Sequence, residues 1–164
     1  MKKVFLVYGH YNDKSFNSAI KDNFIKSAKE NGHLVECVDL YKEKFDPVYA
    51  GENADDIVLD HRRKIDDSDL IVLVAPIWNY RMPAIVEGWI DKVLAPPWAF
   101  SFKKLFGNYG YAVGKLKKFL MNLISIILKT NVLSKNIKNY FKNLTQFFQY
   151  LKINEKSIFG VWTL

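Results

Sequence analysis

The chain has 164 residues, 49% hydrophobic and 25% charged, the composition of a globular protein long enough to build a core without metal or disulfide staples. Its single cysteine, Cys37, forms no internal disulfide, and no cysteine and histidine group has zinc-ligand spacing. A disulfide-stapled secreted scaffold and a structural zinc module are therefore excluded. One domain over residues 1–164, in a reducing cytoplasm, is the simplest expectation.

The formal net charge of +7 is unevenly distributed along the chain. Residues 1–100 carry a net −3, whereas residues 101–164 carry 11 lysines against Glu155 alone. Because this basic third has no arginine to form bidentate contacts with guanine or phosphate, we expect a lysine-solvated surface and no nucleic-acid binding. Attraction of the basic third to acidic lipid or to an anionic partner is the alternative.

Residues 4–8 form a short apolar run that ends at Gly9, which predicts a buried strand and is too short for a signal peptide. A helix is expected next, because Ser15 is a good N-cap and apolar residues recur at every fourth position over residues 16–28. Asn31-Gly32 supplies a left-handed stop, and residues 34–38 predict a second strand.

The middle of the chain continues the alternation of helices and strands. A largely polar surface helix is predicted over residues 54–65. Residues 70–75 are continuously apolar, as expected of a central parallel strand covered on both faces, and the strand stops at Pro76. A further helix is predicted over residues 83–94, with Pro83 in its first turn. Its apolar side comprises Ile85, Trp89, Ile90 and Val93.

From Trp98 to Gly114 the chain is rich in aromatic residues and glycine, the composition of a long ordered loop. Residues 119–128 predict a fourth strand, residues 133–151 an amphipathic helix, and residues 157–162 a fifth strand. The expected fold class is therefore α/β, with a five-stranded parallel sheet in the order 2-1-3-4-5 and helices on both faces.

In such a sheet, a ligand binds beyond the carboxyl ends of the first and third strands, where the strand order reverses. The first strand leads into residues 9–17, a polar loop before a helix N-terminus whose free N–H groups favour a phosphate. His10, Ser15 and Asn17 add side-chain donors. The structural alternative is that Ser15 only caps its helix and that His10 is a solvated loop residue.

The third strand leads into a segment that places flat apolar side chains at the rim of the sheet. We expect Trp78 and Tyr80, just past the strand end, to form the wall of a site for a planar heteroaromatic ring. Trp89 lies within the following helix and is expected to pack in the core.

Together, the two segments resemble the flavodoxin-like NAD(P)H:quinone oxidoreductases, a family that includes drug-activity modulators and potassium-efflux ancillary proteins. Residues 10–17 are similar to the family's His-x-x-x-x-Ser-Phe-Asn cofactor loop. Residues 76–80, with the helix residues that follow them, are similar to its flavin-ring segment. The resemblance covers roughly residues 1–118.

The resemblance implies a flavodoxin-like fold and a set of site residues. The phosphate side of a flavin would be held by His10, Ser15, Phe16 and Asn17. The isoalloxazine ring would be contacted, largely through backbone groups, by Pro76, Ile77, Trp78, Asn79 and Tyr80. An aromatic segment that closes over the substrate would contribute Phe100 and Phe102. Some family members have tyrosines at these two positions, so an apolar wall without hydroxyl groups is expected here.

Two departures from the family lie beyond Lys118. Family members usually follow the fourth strand with a Thr- and Gly-rich turn against the flavin, but no glycine occurs here between Gly114 and Gly160. Only Thr130-Asn131 could stand in for this Thr- and Gly-rich turn. Some relatives also use a downstream tyrosine and histidine pair, yet all three histidines of this chain lie in its first 61 residues.

The resulting hypothesis is a flavoprotein NAD(P)H dehydrogenase with FMN, or alternatively FAD, that passes two electrons from NAD(P)H to a quinone or similar acceptor. Because the cofactor carries the chemistry, no catalytic side chain and no metal are assigned. The resemblance also implies a homodimer. The alternative is a flavin-binding ancillary subunit of a membrane transporter, in contact with its partner through the lysine-rich C-terminal third. A one-electron flavodoxin carrier is disfavoured, because such carriers are usually acidic.

Overall fold

A computed structural model describes residues 1–51, 53–106, 109–114 and 121–125. Strands and helices alternate through most of this part, and the elements in chain order are β1 (Lys3–Tyr8), α1 (Phe16–Glu30), β2 (Leu34–Asp39), α2 (Asp56–Asp67), β3 (Leu70–Ala75), α3 (Ala84–Val93), β4 (Phe100–Phe106), β5 (Tyr109–Gly114) and β6 (Met121–Ser125). The predicted helix over residues 133–151 and the predicted fifth strand lie outside the described residues.

Four parallel strands form the main sheet in the order β2-β1-β3-β6. Tyr8 pairs with Asp39 of β2 on one side and with Val74 of β3 on the other, so the carboxyl ends of these three strands meet at one edge. β6 runs beside β3, the place predicted for the fourth strand. The α/β architecture is confirmed, while the five-strand order 2-1-3-4-5 stays a prediction because its last strand is not described.

The prediction of a loop from Trp98 to Gly114 is wrong. β4 and β5 pair antiparallel, with Phe100 opposite Gly114, and form a two-stranded sheet separate from the main one. Gly110, one of the glycines that suggested a loop, instead allows close strand pairing, since a Cβ there would lie 2.9 Å from the carbonyl oxygen of Lys103. The abundant aromatic side chains of this segment favour strands, and this tendency outweighs the tendency of its glycines to form a loop.

Apolar clusters cover both faces of the sheet, because alternate residues of β1 and β3 point to opposite sides. One cluster lies under α1 and contains Leu6, Ile20, Phe24 and Val72. The other lies under α2 and α3 and is built around Phe5, Leu73 and Trp89. Burial on both faces explains why these strands have continuously apolar sequences.

Capping residues set where the helices begin. Ser15 caps α1, with its Oγ accepting from the Ser18 N–H at 3.1 Å, and Gly32 follows the helix with φ of +74°. α2 begins two residues later than predicted because Asp55 is its cap. α3 begins after Pro83, one residue later than predicted. Within the described residues, no helix reaches the length and apolarity that a bilayer crossing requires.

α2 is largely polar, as predicted, but it buries Val58, His61 and Ile65 against the sheet. The Nε1–H of Trp89 donates to His61 Nδ1 at 2.9 Å, and His61 Nε2 lies 3.1 Å from Glu43 Oε2. Because Nδ1 accepts, the neutral ring carries its hydrogen on Nε2 and donates it to Glu43. Trp89 packs in the core as predicted. Burial lowers the pKa of His61 from its ordinary value, although Glu43 acts in the opposite direction.

This arrangement predicts a pH dependence of stability. Below pH 6.5, the ordinary pKa of histidine, unfolded His61 takes up a proton more readily than folded His61 does, so the free energy of unfolding falls as the pH falls. Between pH 7.5 and 5.5 this effect reaches at most about 1.4 kcal/mol. Urea unfolding of the wild type and of His61→Gln at both pH values tests it. The His61→Gln variant should lose less unfolding free energy between these pH values than the wild type does. Equal pH dependence of the two proteins would contradict the lowered pKa of His61.

Candidate functional site

The loops that follow β1 and β3 converge at the carboxyl edge of the sheet, as predicted. Gly9 donates its N–H to the carbonyl of Val74 at 3.0 Å, so the ends of the two strands stay paired. A Cβ on Gly9 would lie 2.1 Å from Val86 Cγ2, which only glycine avoids. Just beyond, the ring centroids of His10 and Trp78 lie 5.9 Å apart in an edge contact.

The β1–α1 loop is held in place by hydrogen bonds from within. His10 is buried, and its Nδ1 accepts from the N–H of Asn12 at 3.0 Å, so the alternative of a solvated histidine is wrong. The buried Tyr8 hydroxyl lies 3.2 Å from Ser15 Oγ and 3.4 Å from the carbonyl oxygen of Asn12. The loop therefore reaches the start of α1 in a defined conformation.

The start of α1 presents two backbone donors. Ser15 uses its Oγ to accept from Ser18 and its carbonyl to accept from Ala19, so it does cap the helix. Among the described residues, no acceptor is recorded for the N–H groups of Phe16 and Asn17. Free N–H groups at a helix N-terminus favour an anion such as phosphate. The roles of His10, Ser15, Phe16 and Asn17 toward a phosphate stay predictions that this geometry is compatible with.

The segment after β3 forms a tight turn that projects its aromatic side chains outward. Trp78 and Arg81 exchange two backbone hydrogen bonds, of 2.8 and 3.0 Å. Between them Asn79 and Tyr80 have φ of 50° and 64°, the left-handed values of a type I′ turn. Trp78 is 41% exposed and Tyr80 93% exposed, while Pro76, just after the end of β3, is buried.

An ion pair anchors this turn to the helix that follows it. The guanidinium of Arg81 contacts both carboxylate oxygens of Glu87, with Nε donating to Oε1 at 3.2 Å and Nη2 donating to Oε2 at 2.8 Å. This two-point contact fixes orientation as well as distance. The Trp78–Arg81 turn is therefore positioned relative to α3.

Phe100 and Phe102, predicted to face the substrate, lie on β4. Their rings contact each other edge to face with centroids 5.4 Å apart, and Phe102 is 70% exposed. In the part of the chain that the structure describes, no ring contact joins either phenylalanine to Trp78. Their role toward a substrate stays a prediction.

Sequence reasoning missed two tyrosines at the same rim. The ring of Tyr11 stacks on His10 at 4.8 Å and lies 5.9 Å from Trp78 and 6.3 Å from Tyr41. We call His10, Tyr11, Tyr41 and Trp78 the rim cluster. The signal that pointed to Trp78, an aromatic residue shortly after a strand end, applies equally to Tyr11 after β1 and to Tyr41 after β2.

A cavity of about 590 Å³ lies at the opposite, amino edge of the sheet. Its lining comes from the starts of β1 and β2 and the ends of α1 and α2, including Val4, Lys29, Leu34 and Asp67. Ligands of open parallel sheets bind beyond the carboxyl ends of the strands, and the rim cluster lies there. We therefore place the candidate site at the rim cluster and not in this cavity.

Comparison with known proteins supports the same fold. The protein family described as having a flavodoxin-like fold matches residues 2–162. Mouse ribosyldihydronicotinamide dehydrogenase (quinone) is 27% identical over 140 residues, which cover 70% of this chain and 60% of the relative. An uncharacterized NAD(P)H oxidoreductase of Haemophilus influenzae is 33% identical over 131 residues, covering 74% of this chain and 62% of the relative. The chain thus spans about 60% of the length of these curated relatives.

Solved structures agree with this assignment. A putative quinone reductase from Klebsiella pneumoniae is similar with a TM-score of 0.67 and 25% identity, over 76% of this chain and 59% of that one. Smu.1420 from Streptococcus mutans has a TM-score of 0.60 and 29% identity, over 75% of this chain and 66% of that one.

The left-handed backbone of the turn predicts that two substitutions at Tyr80 change stability differently. Tyr80→Gly removes the Cβ that disfavours this conformation and should raise the free energy of unfolding by about 1 kcal/mol. Tyr80→Ala keeps the Cβ and should not raise it. Chemical denaturation of both variants checks this, and an equal change in the two would show that the turn is not strained at Tyr80.

Proposed function

The chain belongs to the family with the flavodoxin-like fold, and from that premise we propose that it is a flavin-dependent NAD(P)H oxidoreductase that passes two electrons to a quinone or similar acceptor. The observation that carries the proposal is the convergence of the His10 loop and the Trp78 turn on one rim. Two curated relatives, a quinone dehydrogenase and an NAD(P)H oxidoreductase by name, support the reaction class.

The donor groups at the rim are compatible with a flavin nucleotide, FMN or FAD. The N–H groups of Phe16 and Asn17 would hold its phosphate at the start of α1. The exposed faces of Trp78 and Tyr80, with the backbone from Pro76 onward, would flank its planar ring. When bound, the flavin supplies the hydride-transfer chemistry.

His10 would contact the bound nucleotide through Nε2. Its Nδ1 is already engaged by the backbone of Asn12, 3.0 Å from the amide nitrogen and 3.2 Å from the carbonyl oxygen. Burial and stacking against Tyr11 hold the ring in one orientation. This role needs no proton transfer, and we propose no catalytic acid or base.

The acceptor and a second subunit would meet at the β4–β5 hairpin. An isolated two-stranded sheet is marginally stable, and this one exposes Phe102, Leu105 and Tyr111. Covering that surface in a homodimer would stabilise the hairpin, and Phe100 and Phe102 would then form an apolar wall for a quinone-like acceptor. We also propose that the chain forms a single domain and works in a reducing cytoplasm.

The alternative of a transporter's ancillary subunit gains no support from the described residues. Most of the lysines that motivated it lie beyond residue 114, largely outside the described part of the chain. We therefore do not propose it.

The purified chain should be yellow and should oxidise NAD(P)H when menadione is added. Trp78→Ala should weaken flavin binding about three- to tenfold because an aromatic stacking partner is lost, whereas Trp78→Phe keeps the ring and should bind nearly as the wild type does. Titration followed by flavin fluorescence measures both.

Protein that takes up neither FMN nor FAD would overturn the whole proposal. A flavin-loaded chain without menadione-dependent NAD(P)H oxidation would overturn the reaction while leaving flavin binding intact.

A further inference from the structure

The β4–β5 hairpin is entered from α3 through a short connection. Residues 94–99 link the end of α3 to Phe100, the first residue of β4. Among the described strands, β4 pairs only with β5 and takes no part in the main sheet. Pairing with the main sheet therefore does not orient the hairpin where it leaves α3, and the contacts around residues 94–99 do.

Arg62 of α2 holds the first end of this connection. Its Nε donates to the carbonyl oxygen of Val93 at 2.9 Å, and its Nη2 donates to the carbonyl oxygen of Lys92 at 3.0 Å. Both carbonyls belong to the last turn of α3, where helical carbonyl groups lack partners within the helix. A cation at this end also interacts favourably with the helix dipole. Arg62 thus caps α3 from a neighbouring helix.

The same guanidinium holds the other end of the connection. The Cζ of Arg62 lies 5.2 Å from the centroid of the Trp98 ring, a cation–π contact two residues before β4. Trp98 also packs against the core under α2 and α3. Beside it, the N–H of Ala99 donates to the carbonyl of Ala95 at 3.3 Å, and both alanines are buried. The path of the chain into the hairpin is therefore fixed.

α3 connects this entry to the turn proposed to hold the flavin ring. At the start of the helix, the contact of Arg81 with Glu87 fixes the Trp78–Arg81 turn. At its end, Arg62 fixes the entry to the hairpin. Since a helix behaves as a rigid element, these two contacts together set where the hairpin begins relative to the turn.

We propose that Arg62 is a positioning residue for the acceptor, because it holds the start of the β4–β5 hairpin in place relative to α3. The inference rests on the proposed function, in which Phe100 and Phe102 form the apolar wall for a quinone-like acceptor. Arg62 touches neither flavin nor acceptor in this role. A small displacement of groups that orient a substrate lowers productive binding, even when its cause lies away from the reacting atoms.

Lysine at position 62 would not make the same set of contacts. The guanidinium is planar, so two of its N–H groups reach carbonyls while its face stays available to Trp98. An ammonium group is a compact point charge without such a face. Arg62 is half-buried, and burial lowers its pKa, but arginine stays charged in proteins. Arg62→Lys therefore keeps the charge and removes the geometry.

The test compares two electron acceptors that make different demands on the hairpin. Menadione is a planar quinone that the apolar wall would bind, whereas ferricyanide is a small inorganic anion without an apolar ring. Arg62→Lys should raise the KM for menadione about three- to tenfold, with the KM for ferricyanide and the flavin dissociation constant within about twofold of wild type. Steady-state NAD(P)H oxidation gives both KM values, and flavin fluorescence titration gives the dissociation constant.

Trp98→Leu removes the aromatic face and should raise the KM for menadione in the same way. The double variant should be little worse than either single variant, because both substitutions remove one shared contact. Arg63→Gln is the matched control. Arg63 is the next residue of α2, is exposed and pairs with Asp60 of the same helix, so its replacement should leave both KM values unchanged.

An unchanged KM for menadione in Arg62→Lys and Trp98→Leu would overturn the inference. An equal rise in KM for both acceptors with flavin still bound would also overturn it, since that result indicates a general loss of structure. Fully additive effects in the double variant would show that the two side chains act separately, against the inference. Wild-type protein that takes up no flavin would instead overturn the proposed function, and the fluorescence titration distinguishes this result from the others.

Discussion

The geometry of the rim depends on the close approach of strand β1 to helix α3 at Gly9. A single methyl group there would collide with Val86, while the N–H of the same residue closes the pairing with Val74. This contact places the end of β1 directly beside the segment that links β3 to α3. The His10 loop and the Trp78 turn meet for that reason, although more than 60 residues separate them in sequence.

Aromatic and polar side chains are buried and hydrogen-bonded in the core, whereas aromatic side chains at the rim are exposed. In the core, His61 has a partner on each ring nitrogen and Trp89 has its N–H satisfied, so burial leaves the ring nitrogens of these two side chains hydrogen-bonded. At the rim, Trp78 and Tyr80 remain exposed on a turn with left-handed backbone. Exposed aromatic surface and unfavourable backbone conformation both lower stability, and such features cluster where ligands bind.

Several features of the fold and the candidate site could be read from local sequence because their causes are local. Apolar runs mark β1 and β3, Ser15 marks the start of α1, and the position of Trp78 after a strand marks it as a rim residue. The β4–β5 hairpin could not be read in this way. Its glycines indicate a loop when taken alone, and only the pairing of Gly110 with Lys104 across the hairpin shows why that glycine occurs in a strand.

The sequence by itself determined the α/β class, the three strands whose ends frame the rim, and the two loops that carry the candidate flavin-binding residues. It did so because hydrophobic periodicity, helix caps and strand-end motifs act over a few residues. Only the tertiary structure decided that His61 is a buried partner of Trp89 and that Tyr11 and Tyr41 join His10 and Trp78 at one rim. Except for the stacking of Tyr11 on its neighbour His10, these are contacts between residues distant in the chain, and the packing of strands and helices, which no local pattern encodes, brings them together.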